Sequence, residues 1–113
     1  MKREEFNKKL LIELAYSKQK GYPTMDLKEL YIELAQKYVN SKKFKYVGEE
    51  HKIYFVAFAY EDCLKHGLNF RPERSDQAYN YILQIIGCSF AKAFRFRFKK
   101  EVCKLSDTLS FLN

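Results

Sequence analysis

The densest chemistry in the sequence lies near its C-terminus, in Lys92-Ala93-Phe94-Arg95-Phe96-Arg97-Phe98-Lys99-Lys100. Cations at this density neutralise phosphates or carboxylates, and arginine adds planar donors that bind an oxyanion in bidentate fashion. At about 100° per residue, Phe90, Ala91, Phe94, Phe98, Val102 and Leu105 fall in one arc of roughly 120°. Lys92, Arg95, Arg97, Lys99, Lys100 and Lys104 occupy the remainder. Phe96 is the anomaly, because it lands among the cations. An exposed ring in that position would stack on an unpaired base; a covered one would fill a groove or a subunit interface. Lys42, Lys43 and Lys45 form a second, smaller basic group.

Other reactive residue types are sparse. Cys63 and His66 are three apart, which on a helix aims both at one side, but zinc sites are declared by two close pairs and only one is present. The same pair lacks the orienting group that thiol catalysis requires. Glu49-Glu50 and Glu61-Asp62 are adjacent carboxylates, which diverge by about 100° on a helix and suit helix ends or solvent better than acid–base work. Phe55-Val56-Ala57-Phe58 shares F-V-x-F with the strand motif of RNA-recognition domains, without its leading basic and glycine positions. Four glycines supply neither a phosphate loop nor a dinucleotide fingerprint. The expectation is therefore no catalytic residues, no metal, no cofactor and no enzyme activity.

The elements that must position these residues read as helices. Phe6, Leu10 and Leu14 recur every four residues across 3–20, with Leu11 widening the stripe, and Gly21-Tyr22-Pro23 ends the segment. Asp26-Leu27-Lys28-Glu29 has capping-box spacing, and Leu27, Leu30, Tyr31, Leu34, Ala35 and Tyr38 then mark one face, up to Asn40-Ser41. A short connection makes these two helices an antiparallel hairpin. Residues 43–66 admit two readings. One is a helix from Glu49 to His66 with Ile53, Val56, Ala57, Tyr60, Cys63 and Leu64 inward, closed by Gly67; the other is a β-hairpin near 43–58 packed on helices. The helical reading is favoured. After a connector containing Pro72, Ser75 or Asp76 caps a final helix running to about Leu105. Tyr79, Ile82, Leu83 and Ile86 lie on one side of it and Tyr81 and Ile85 on another, with Gly87-Cys88-Ser89 a weak point or kink.

Size and composition fit this picture. The chain has 113 residues, 47% of them hydrophobic, enough for a single small domain spanning 1–113 with its own core. The longest apolar run, Ile53 to Tyr60, is too short to cross a membrane, and the charged opening Met1 to Glu5 resembles no secretory signal. Three cysteines form no closed disulfide set, which suits a cytoplasmic location. The net charge of +7 is regional. Residues 46–91 carry four cations against six carboxylates, so the excess lies in Lys2–Lys20, Lys37–Lys45 and, above all, Lys92–Lys104.

The expected fold is thus all-α, a compact bundle of about four helices. The expected function is that of a small helical adaptor, inhibitor or assembly factor that binds another protein or a second copy. The alternative is a nucleic-acid-binding accessory protein, for DNA or RNA, using residues 92–104.

Overall fold

The computed structural model describes the backbone of residues 2–45 and 47–112 and the side chains of residues 2–42, 44–45 and 47–95. Four α-helices run in the order α1 (Arg3–Lys20), α2 (Met25–Val39), α3 (Glu49–His66) and α4 (Ala78–Leu112). Short 3-10 turns, Lys42–Phe44 and Gly67–Asn69, lead into and out of α3. The expected all-α bundle is what forms. The hairpin alternative for 43–58 is overturned: the described residues contain no strand, and the helix occupies Glu49–His66.

The α1–α2 hairpin follows from its sequence. Phe6, Leu10, Leu14 and Ser17 form the buried edge of α1, and Gly21 closes it at φ 84°, donating its N–H to the Ser17 carbonyl at 2.8 Å. That left-handed conformation is one L side chains rarely take. The cap of α2 differs from the expected Asp26–Glu29 box. Thr24 is the N-cap, and its hydroxyl accepts the Leu27 N–H at 3.2 Å. The same hydroxyl donates to Glu13 at 3.0 Å, while the Ser17 hydroxyl accepts the Thr24 N–H at 3.1 Å. Because Thr24 follows Pro23 in extended backbone, it is already poised as a cap, and α2 starts one residue before Asp26.

Helix α3 buries a single line rather than its whole circumference, and that line is rotated from the expected one. Phe55, Ala59 and Cys63 form the buried line, whereas Ile53 is 71% exposed and Ala57 is also exposed. When apolar residues surround a helix, hydropathy cannot select the inward face; packing does. Gly67 is likewise not the left-handed terminator expected. It continues helically into the second 3-10 turn, and a Cβ there would come within 2.8 Å of the Tyr31 ring. Its role is close approach: the buried Tyr31 ring occupies the space a side chain would need.

Helix α4 contributes Ala78, Ile82, Ile86, Ser89, Phe90 and Ala93 to the core shared with the other three helices. It is continuous through Gly87-Cys88-Ser89, so the expected weak point does not interrupt it. Buried Ser89 donates its hydroxyl to the Asp62 carboxylate of α3. Ser75 accepts the Gln77 N–H at 3.1 Å, but the first turn is capped from across the bundle, where the α1 side chain Asn7 accepts the Tyr79 N–H at 2.7 Å and donates to the Asp76 carbonyl at 2.9 Å. With 35 residues α4 is about 52 Å long, roughly twice the length of α1 or α3.

Candidate functional site

Of the basic residues predicted as a site, Lys42, Lys45, Lys92 and Arg95 have described side chains, and the segments that carry them meet through Phe44 and Phe90. The turn Lys42–Phe44 inserts the Phe44 ring against Phe90 at 5.3 Å and against Phe55 at 6.4 Å, and Tyr38 stacks on both Phe44 and Phe90 at 5.3 Å. This cluster draws the Lys42 and Lys45 turn onto α4 just before its basic segment, and Lys42, Lys45, Lys92 and Arg95 are exposed. Two basic stretches far apart in sequence thus share one region of the bundle. They do not form a uniform face. Lys92 lines a cleft of about 250 Å³ between α3 and α4 together with Asp62, His66 and Cys88.

The apolar arc expected for α4 needs correction. Ala93 takes the buried position, while Phe94 is 57% exposed and Ala91 is exposed. The core fixes the helix through Ile82, Ile86, Phe90 and Ala93, and that phase turns Phe94 outward. An exposed ring beside Arg95 is therefore Phe94. The side chains of Phe96, Arg97, Lys99, Lys100 and Lys104, and that of Lys43, lie outside the described residues.

A second surface escaped the sequence reading. Between α1 and α2 runs an open groove of about 370 Å³, lined by Lys9, Ile12 and Glu13 from α1 and by Asp26, Glu29, Leu30 and Glu33 from α2. Four carboxylates face one ammonium, in a chain whose overall charge is +7. Ile12 stands 66% exposed at its wall and Met25, beside Asp26, is 69% exposed; Tyr16 and Tyr22 on the same hairpin are also exposed. The signal was present as the i, i+3, i+7 spacing of Asp26, Glu29 and Glu33, which places them on one face of α2. It was obscured because Asp26 and Glu29 also satisfy the capping-box pattern.

The cysteine chemistry considered earlier finds little support in the geometry. Cys63 is buried, which together with the nearby Asp62 charge pushes its thiol up to about 12, so it is neither a ready nucleophile nor a ready metal ligand. His66 is exposed and Cys88 is exposed, and among the described residues no group of three or more His, Cys, Asp and Glu side chains stands together to hold a metal. Asp62 is engaged by Ser89, and Glu49 by Lys52 at 3.4 Å. The F-V-x-F run lies in helix α3, with Phe55 in the core, so it presents no RNA-binding sheet. No helix of the described residues is long and apolar enough to cross a membrane.

Comparison with known proteins finds no matching family model, no matching curated protein and no matching solved structure.

Proposed function

We propose that this chain is a non-enzymatic helical interaction protein, acting in the cytoplasm, whose α1–α2 groove receives a basic, amphipathic segment of a protein partner. One observation carries this reading: the groove sets an acidic wall, Asp26, Glu29 and Glu33, against the exposed apolar side chain of Ile12, with exposed Met25 next to Asp26 in the chain. Large apolar groups grouped on a surface and rimmed by one sign of charge are what an oppositely charged amphipathic helix recognises. Burial pushes the Cys63 thiol up to about 12, which counts against thiol catalysis at that residue.

The test is fluorescence anisotropy with a labelled basic amphipathic peptide, using an acidic peptide of matched hydrophobicity as control. The basic peptide is expected to bind, more weakly as salt rises, and E29K/E33K is expected to lose about tenfold or more in affinity while keeping its helical circular dichroism. Equal affinity for both peptides would sink the reading.

A second reading, a nucleic-acid-binding accessory protein, draws on one specific observation: Phe94 is exposed beside Arg95, next to the turn carrying Lys42 and Lys45. It predicts single-strand binding that weakens steeply with salt and falls when Arg95 and Arg97 become Ala. F94A should then reduce single-strand affinity more than duplex affinity. Absence of binding at low salt would remove this second reading.

A further inference from the structure

We infer that the occupant of the α1–α2 groove is the basic segment of α4 from a second copy of this chain, so that copies join head to tail. The inference rests on the groove reading above and adds the identity of the partner.

Charge is the first argument. Lys92 to Lys104 carries six cations and one carboxylate, Glu101, while the groove sets four carboxylates against Lys9. Register is the second. Asp26, Glu29 and Glu33 are spaced by three and then four residues along α2; Arg97, Lys100 and Lys104 repeat that spacing along α4. On two helices lying side by side and parallel, each triplet spans about 10.5 Å of axis, so the two sets of positions match in one register.

Reach is the third argument. Phe55 of α3 packs on Phe90 of α4, and α3, running antiparallel, begins at Glu49. The helical backbone of α4 continues to Leu112, beyond the length its neighbour can line. A continuous helix cannot turn back onto the groove of its own molecule, so the pairing is between copies. Because groove and basic segment are different surfaces, the contact is heterologous and grows into chains or rings.

Sedimentation velocity on nuclease-treated full-length protein, over a range of concentrations and salt, tests this. The wild-type chain is expected to form species larger than a dimer at low salt that dissociate as salt rises. E29K/E33K, with its groove reversed, and R97E/K100E/K104E, with its segment reversed, are each expected to be monomeric and to retain wild-type circular dichroism. Mixed together, the two variants are expected to recover association, since the intact segment of one fits the intact groove of the other and the reversed segment fits the reversed groove. Wild-type protein that stays monomeric, or association that is unchanged when either set of substitutions is introduced alone, overturns the inference. If that monomer still binds the basic peptide through Glu29 and Glu33, the groove reading stands and only the identity of the occupant fails; if it binds neither, both fail.

Discussion

The turn joining α1 to α2 and the turn leading into α3 each hold helices together, the first with hydroxyls and the second with aromatic rings. At the first, Ser17, Thr24 and Glu13 satisfy one another and the α2 N-terminus. At the second, Phe44 reaches into Tyr38, Phe55 and Phe90. A hydroxyl relay fixes direction and register at a net gain of about 1 kcal/mol per bond, whereas buried rings carry several times as much. The hydroxyl-linked hairpin leaves Ile12, Met25 and its carboxylates facing solvent; the ring-linked region consumes its aromatic surface internally. The acidic hairpin thus keeps apolar surface next to its carboxylates, while Phe55 and Phe90 are spent on the core and leave Ile53, Tyr54 and Phe94 exposed on α3 and α4.

The largest expected effect breaks the aromatic side. F90A should lower unfolding free energy by about 3–5 kcal/mol in urea titration, because three rings and the core around them lose their common partner. A loss under about 1 kcal/mol would mean that the ring cluster is peripheral. G67A comes next, at about 1–3 kcal/mol, since the new methyl group must displace the buried Tyr31 ring. T24A and N7A probe the polar side, and each should cost about 1 kcal/mol through loss of a helix cap, measured as a shift in the urea midpoint at unchanged slope.

The smallest effect concerns Cys63. In a C88S/C103S background its thiol should resist alkylation in the native state at pH 8 and react only on unfolding. Its folded pKa, about 12, lies above the ordinary 9.0. The stability this burial supplies is therefore complete below about pH 9 and declines as pH rises from 9 toward 12, where the unfolded thiol ionises first. Rapid labelling of the folded protein would show that the α3 face is more open than its packing indicates.

Helix positions were legible because they depend on local periodicity and on end signals. The stripe Phe6, Leu10, Leu14 with Gly21 after it, and the face from Leu27 to Ala35, needed no partner to be recognised. Even the ambiguous segment resolved to Glu49–His66, where acids open the helix and Lys65 and His66 close it. The candidate site was legible only in part. Charge alone singles out Lys92, Arg95, Lys42 and Lys45, whereas the exposure of Phe94 and the groove of Asp26, Glu29 and Glu33 depend on how each helix is rotated in the bundle.

Local sequence signals establish that this chain is helical, where most of its helices start and stop, and that its positive charge is concentrated toward residues 92–104. Those properties follow from propensity, period and composition, which act within a few residues along the chain. Packing between helices is what turns Phe55 rather than Ile53 inward, brings Asn7 to cap α4, makes Gly67 leave room for Tyr31, and sets Ile12 in a groove with the carboxylates of α2. Each is a relation between residues distant in sequence, set by which faces must pack together to close one core, and no local pattern encodes that choice.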